Sequence, residues 1–500
     1  MAIETENGAR PEDEAEAGAQ AAAEEGSAAQ VAQAQDEHPS GSGGEGEAGG
    51  EQPAGPDPSE VYPMLRPLDA YPVDVPGADG RGQKLLALAD PSGIAPGVVT
   101  LPPFGAAVIE LCDGSRTRDE ICAEFLARYR RPRPKESLEA LLKKLDDALM
   151  LDSTRFRLHC ARLFAEFAEL DTRPAYSAGV RYPGDPDALR RLILDAFAPP
   201  NGPGLPAKDA PLAAAPARVL LAPTVDFTRG GPAYAWVYRP LLEMAKLPSL
   251  IVLIGCDHSA HDPIVTLTRK NLATPLGTLE TDGKLVDTLV ADAAARSEAL
   301  GELLTRDEAH HRGEHSLEFQ AVWLSFALEW RRQQGLDKDV PPPQILPILC
   351  GSLHELAVNP PSRDGKLEMH QTTRLIDEFA IILQQRIGER QAAGQSTLWI
   401  GAADLAHVGP RFGDAEALIE SDRDSLERRD RETLKPVLSG DSQSFLGEIR
   451  RERDRRRVVG LGPIYMLLQA ARPTGGKIRC YAQCSVDSGS YISTASLQFP

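Results

Sequence analysis

Pro248-Ser-Leu-Ile-Val-Leu-Ile-Gly-Cys-Asp-His-Ser-Ala-His261 decides the fold. An unbroken apolar run from Leu250 into Gly255, bounded by turn residues, reads as a β-strand buried on both faces. Asp257, His258 and His261 follow at its carboxyl end. In open α/β sheets that edge is where ligands bind. The stretch predicts a central strand that delivers imidazole and carboxylate groups to the rim of a sheet.

Residues 176–500 alternate around it. Strands are predicted at 218–223, 248–255, 344–351 and 397–404, with final strands at 478–486 and 491–499. Helices are predicted at 234–245, 282–300, 314–333 and 372–386. Strands alternating with helices give a layered α/β sheet, partly parallel. Four strands end in polar groups: Thr224, Asp226 and Arg229; Asp257, His258 and His261; Ser352 and His354; Asp404 and His407. Glu314-His315-Ser316 opens the long helix. Acids and imidazoles after several strands are the groups that bind a divalent metal or move protons, so the rim is a candidate active-site cleft.

The net charge of −19 is unevenly spread. Residues 1–60 carry 15 acids and one base, Arg10, and no aromatic residue. Such a segment cannot bury enough apolar surface to offset its ordering entropy and reads as a disordered acidic tail. The body is ordinary in charge. No apolar run reaches the ~18 residues of a membrane span, and no secretory leader pattern is visible. Seven cysteines spread over the chain give no disulfide framework. The expectation is a reduced, cytoplasmic protein with no membrane partner. The chain divides into the tail (1–60), a small module (61–156), a helical connector (157–175) and the α/β domain (176–500).

The small module reads as short strands at 85–93 and 98–103 followed by three helices. Thr117 and Glu120 form a capping box for the second helix, 118–129. Apolar residues at 138, 141, 142, 145 and 149 have the period of an amphipathic third helix. This is a winged-helix-type α+β pattern. Leu111-Cys-Asp-Gly-Ser-Arg-Thr117 and Leu145-Asp-Asp-Ala-Leu-Met-Leu-Asp-Ser153 resemble the PqqD-like family, whose modules bind peptides by adding a strand to a sheet edge. The rival is a DNA-binding winged helix, for which Arg128, Arg130, Arg131, Arg133 and Lys135 supply a basic patch. A solvated loop explains that patch better, and nucleic acid is not the expected partner.

The α/β domain resembles the MEMO family, also called protein B of the AmmeMemoRadiSam system. The likeness runs through Tyr182-Pro-Gly-Asp-Pro-Asp-Ala-Leu-Arg-Arg191, Ala222-Pro-Thr-Val-Asp-Phe-Thr-Arg-Gly-Gly231, Gly255-Cys-Asp-His258, Thr274-Pro-Leu-Gly-Thr-Leu279, Glu314-His-Ser-Leu-Glu-Phe-Gln320, Asp404-Leu-Ala-His407 and Tyr481-Ala-Gln483. That family is similar in fold to LigB-type (class III) extradiol dioxygenases, which use non-haem iron. The resemblance implies a radical-SAM protein as partner and a metal site of two histidines and a cysteine. Carried over, the second metal histidine is His258, and the rim acid and histidine are Asp404 and His407. The glutamate and histidine behind them are Glu314 and His315. The first metal histidine falls on Thr224 and the cysteine on Asp487, with Cys484 three residues earlier. Two of three ligands are thus altered.

Two functions stay open. One is a cleft that binds iron or another divalent metal through His258, Asp487 and Cys484, with Asp404, His407, Glu314 and His315 as catalytic groups and Thr224, Asp226, Arg229 and Asp257 around them. The other is a non-catalytic scaffold for a peptide or ligand that has lost the metal. Outside this set, His310-His311 reads as a surface loop, His370 has no partner in sequence, and Cys256 reads as a packed thiol. The arginines from Arg450 to Arg457 read as a solvated helix face laced with ion pairs.

Overall fold

The computed structural model describes residues 61–76, 82–90, 92–95, 97–132, 135–207, 211–213, 217–259, 265–358 and 368–500. The acidic segment 1–60, Arg133 and His261 lie outside the described residues, as does the side chain of His370.

The small module is an antiparallel sheet of β1 (Asp69–Pro76), β2 (Gly82–Ala89) and β3 (Val98–Leu101), with α1 (Pro103–Ile109), α2 (Arg118–Tyr129) and α3 (Lys135–Asp147). The capping box forms: Thr117 Oγ1 accepts from the Glu120 amide, and the Glu120 carboxylate accepts from the Thr117 amide. The periodic leucines Leu138, Leu141, Leu142 and Leu145 all turn into the module's core. β1, unassigned from sequence, pairs with β2 along its whole length. In the basic patch, Arg128 pairs with Glu124 and Lys135 with Asp119.

α4 (Thr154–Ala168) begins at a Ser153 cap and joins the two parts. β4 (Thr172–Arg173) and α5 (Pro186–Ala196) follow. Then come β5 (Val219–Ala222), α6 (Phe227–Glu243), β6 (Leu250–Cys256), β7 (Val265–Leu267), β8 (Asn271–Thr274) and β9 (Gly277–Leu279). The middle of the chain forms α7 (Gly283–Arg296), α8 (Glu298–Arg306), α9 (His310–Gly313), α10 (His315–Gln333), β10 (Gln344–Cys350) and α11 (His354–Val358). It ends with α12 (Glu368–Ala392), β11 (Thr397–Ala402), β12 (His407–Val408), α13 (Glu420–Ser439), α14 (Ser442–Arg451), α15 (Leu461–Ala471), β13 (Lys477–Ser485) and β14 (Tyr491–Phe499).

The main sheet runs β12-β14-β5-β11-β6-β10-β7, and β13 pairs with β14. Its centre, β5-β11-β6-β10, is parallel, and β14 and β7 flank it antiparallel. β6 is buried at every position, as a strand covered on both faces must be. Leu250, Val252 and Ile254 face α12 and α15, while Ile251 and Leu253 face α6 and α10. Helices therefore cover both faces. β8 and β9 form a separate small sheet with β4. No helix among the described residues is long and apolar enough to cross a membrane.

Three expectations are corrected. The helix predicted over 282–300 breaks at Ser297, whose backbone is extended. The His310–His311 segment is not a surface loop: it is a short helix with His311 buried and its Nε2 3.0 Å from the Thr266 carbonyl. The arginine run is not one solvated face, because α14 ends at Arg451 and a turn with Arg453, Asp454 and Arg457 at positive φ follows. That turn carries Arg456 into the interior, where it pairs with Asp430 and Glu452 and donates to Thr433 Oγ1. A charge this deep is tolerated because acceptors surround it.

Candidate active-site cleft

The strand order explains which groups meet. β5, β11 and β6 are neighbours, so Thr224, Asp404 and His258 leave the sheet side by side at its carboxyl edge. The N-terminus of α10 lies against β6, because Gly255 leaves room for it. A Cβ at 255 would sit 2.5 Å from Ser316 Oγ and 2.9 Å from Leu317 Cδ2. Ser316 Oγ instead donates to the Cys256 carbonyl at 3.0 Å, which fastens the helix end to the strand end.

Glu314, the N-cap of α10, is therefore aimed at His258. Its carboxylate lies 3.0 Å from His258 Nδ1 and accepts from the His258 amide at 3.0 Å and the Ser316 amide at 2.7 Å. His315 Nδ1 is 3.4 Å from the same carboxylate. The rings of His258 and His315 stack, with centroids 4.6 Å apart. Both rings line an open cleft of about 490 Å³ with Arg181, Thr224, Asp226, Arg229, Phe319, Asp404 and His407. Since Nδ1 of His258 is held from behind by Glu314, Nε2 is the nitrogen on the cleft side.

The electrostatics follow from this packing. Burial pushes His258 down, but the charge and hydrogen bond of Glu314 outweigh it and the imidazole titrates above its ordinary range. Burial pushes His315 down to about 3, against the pull of Glu314. Burial also lowers His407, with Asp404 opposing and His258 reinforcing. Burial works to raise Glu314, yet the charges of His258 and His315 and the hydrogen bonds it accepts hold it well below the usual range. Glu314 thus favours the charged form of His258, while burial favours the neutral forms of His315 and His407.

Asp404 is tied to the neighbouring strand end. Its Oδ1 accepts from the Thr224 amide at 3.1 Å and its Oδ2 from Thr224 Oγ1 at 2.7 Å. His407 Nδ1 is buried without a hydrogen-bond partner, and Phe412 meets the ring edge-on at 5.1 Å. Asp226 caps α6 through the Thr228 and Arg229 amides and pairs with the Arg229 side chain.

Four residues predicted for the rim or cleft lie elsewhere. Asp487 is exposed in the turn between β13 and β14, where its carboxylate accepts from the Gly489 amide. Cys484 is buried, its Sγ lies 3.5 Å from the Arg229 carbonyl, and burial pushes its thiol up to about 12. Neither joins His258 as a ligand. Asp257 is buried beneath the rim and meets His310 Nδ1 at 2.7 Å. His354, another rim candidate, pairs with buried Asp454 at 2.7 Å and does not line the cleft. The donors that do converge are His258, Glu314 and His315, whose ligand atoms lie within 4.8 Å of one another. Arg181 and Phe319 belong to the cleft and went unread. Arg181 directly precedes the Tyr182 stretch, and Phe319 lies within the Glu314–Gln320 stretch, but neither type announces a site alone.

Fold and site together define a layered α/β protein with a histidine- and carboxylate-lined cleft at the carboxyl edge of its parallel strands. The chain belongs to the Memo-like protein family, whose model matches residues 173–358 and 367–498. The model for coenzyme PQQ synthesis protein D (PqqD) matches residues 86–151, within the N-terminal module. Among similar proteins is a MEMO1 family protein of Aquifex aeolicus, 23% identical over 422 residues, covering 83% of this chain and 93% of that protein. Another, from Thermus thermophilus, is 28% identical over 368 residues, 73% of this chain and 92% of its own length. A third, from Methanopyrus kandleri, is 24% identical over 319 residues, 63% of this chain and 93% of that protein. The Aquifex match covers more of this chain than the Memo match does, so it extends into the N-terminal module.

Proposed function

We propose that the cleft binds a small polar ligand beside a divalent metal, iron in the first instance, held first by His258 Nε2, with Asp404 and His407 lining the same cleft. One observation carries this: Glu314 holds His258 Nδ1 from behind while the same ring lines the cleft. Metal-binding histidines are commonly oriented in this way by a carboxylate on the other ring nitrogen. Imidazole nitrogen and carboxylate oxygen are a donor set that iron, zinc and copper accept. His407 adds a neutral imidazole with an unpartnered nitrogen, and each oxygen of Asp404 accepts one bond from Thr224, leaving further lone pairs. When bound, the ion supplies Lewis acidity or one-electron chemistry to the ligand. The chain's own residues do the rest. Glu314 sets the orientation of His258. His315, held neutral and stacked on it, presents an uncharged ring to the ligand. Phe319 lines the cleft beside His315, and Phe412 packs on His407.

The test is elemental mass spectrometry of protein purified without chelator, beside His258→Ala. Near-stoichiometric iron, zinc or copper that drops at least tenfold in His258→Ala is the expected result. No metal in either protein after anaerobic reconstitution with iron(II) rejects the reading.

A second reading is favoured by Thr224: its hydroxyl and amide both donate to Asp404, so protein hydrogen bonds already engage the carboxylate that faces the family's first ligand position. On that reading the cleft is a metal-free ligand-binding scaffold. In either case we propose that the protein acts beside a radical-SAM partner, with the PqqD-like module gripping a peptide. The module match and the outer edge of β3, which pairs with no further strand among the described residues, support this. Slowed amide exchange at 98–101 on adding the partner peptide is the expected signature; unchanged exchange there counts against it.

A further inference from the structure

We propose that the ligand of this cleft carries an oxyanion group, a carboxylate or a phosphate, and that Arg181 anchors it. The inference rests on the cleft being a ligand site but not on the metal.

Most charges of the cleft are already answered by the protein. Asp226 is met by Arg229 and two amides, and Asp404 by Thr224. The charge of His258 is met by Glu314. Arg181 lines the same cleft, and it is the one charged lining residue with no hydrogen bond or ion pair to a side chain among the described residues. Its field reaches the imidazoles, since it is among the charges that lower both His258 and His315.

The backbone that carries Arg181 is held from below. The Arg181 amide donates to the Ser177 carbonyl at 2.8 Å, and the Gly179 amide to the Tyr182 carbonyl at 2.8 Å. Buried Glu318, on α10, accepts from the Ser177 amide at 2.8 Å, from Tyr182 Oη at 2.5 Å and from Arg173 Nη1 at 2.7 Å. The Tyr182 ring stacks on Phe227 at 5.3 Å. A clamped backbone lowers the ordering cost when the side chain meets a ligand. The planar guanidinium presents paired donors that match a carboxylate or phosphate. A cation without a side-chain partner among the described residues, on a fixed wall of the cleft that His258, His315 and Asp404 also line, is suited to the charged end of a ligand.

The experiment is calorimetric titration of the full chain, stripped of metal by chelator, with inorganic phosphate and separately with succinate. The expected result is millimolar or tighter binding of at least one anion, weakened tenfold or more in Arg181→Gln and less than that in Arg181→Lys, which keeps the charge but loses the paired donors. The tighter of the two names the group. The Arg181 side chain is exposed and has no side-chain partner among the described residues, so neither variant should disturb folding, and unchanged thermal unfolding checks this. Binding of neither anion overturns the proposal. Equal binding by wild type and Arg181→Gln overturns it too, even where His258→Ala abolishes binding and so upholds the cleft. Anion binding that needs Arg181 in a protein that takes up no metal upholds the anchor while the metal reading fails.

Discussion

Glu314 governs the imidazoles of the cleft. It is a helix cap, an acceptor for two backbone amides and the partner of His258 in one carboxylate. Replacing it with Gln keeps the shape and removes the charge, and should cost about 1–3 kcal/mol, since buried donors lose their best acceptor. The pH dependence follows from two opposite shifts. His258 is raised above its ordinary 6.5, so its contribution is full below that value and is lost as pH rises through the folded value. Glu314 is depressed below its ordinary 4.5, so its contribution is present above that value and is lost as pH falls. The pair is strongest between these two ordinary values. The difference in melting temperature between wild type and Glu314→Gln should therefore be largest near pH 5–6 and shrink as pH rises through the folded value of His258. A pH-independent difference argues that Glu314 acts only as a cap. Imidazole NMR on the same variant should show His258 titrating at lower pH than in the wild type.

Among elements, the join of β6 to α10 decides the site. The strand supplies His258 and the helix supplies Glu314 and His315, so any change in their spacing is felt by all three. Gly255→Ala places a methyl group 2.5 Å from Ser316 Oγ and 2.9 Å from Leu317, both fully packed. Overpacking of this kind costs about 1–3 kcal/mol. It should also push Glu314 away from His258, so His258 NMR shifts should move toward those of Glu314→Gln. Normal His258 shifts in a folded Gly255→Ala protein would mean that the helix can slide without consequence. The turn after α14 makes the complementary point. Arg457 donates to the His407 carbonyl at 3.1 Å and the Arg456 carbonyl accepts from the His407 amide at 2.7 Å, so an arginine-rich segment positions a cleft histidine through its backbone.

At the scale of the molecule, the N-terminal module touches both segments that carry cleft groups. The Ser92 carbonyl abuts Gly313, the residue before Glu314: a Cβ there would come within 2.8 Å of it and meet no other residue at such range. On the other side, Arg411 lies 5.1 Å over the Tyr71 ring of β1, and its neighbour Phe412 packs on His407. The Asp90–Ala95 turn that presents Ser92 is stiffened by Asp90, which accepts from the Ser92 and Ala95 amides and pairs with Arg66. Gly313→Ala is thus a selective probe of docking. It should speed amide exchange around Asp90 and Ser92 while leaving exchange in β6 and β11 unchanged. Unaltered exchange in the module would show that the contact yields without loosening it.

Sequence by itself determined what depends on local pattern. The unbroken apolar run of β6, the Thr117–Glu120 box and the leucine spacing of α3 mark their elements because burial on two faces, capping and helical period each leave a short-range trace. His258, Asp404, His407 and Thr224 were legible as cleft residues because groups just past parallel strand ends share one edge of a sheet. Tertiary structure alone decided the partners. Glu314 meets His258 across 56 positions and Thr224 meets Asp404 across 180, distances at which no periodicity survives. It removed Asp487 and Cys484 from the site, because a hairpin turn and one side of a strand place neighbouring residues in different surroundings. It brought in Arg181, whose identity means nothing until the other charges of the cleft are found to be paired. It also drew Arg456 inward, because three residues at positive φ end a helix whose charge pattern alone predicts a solvated face.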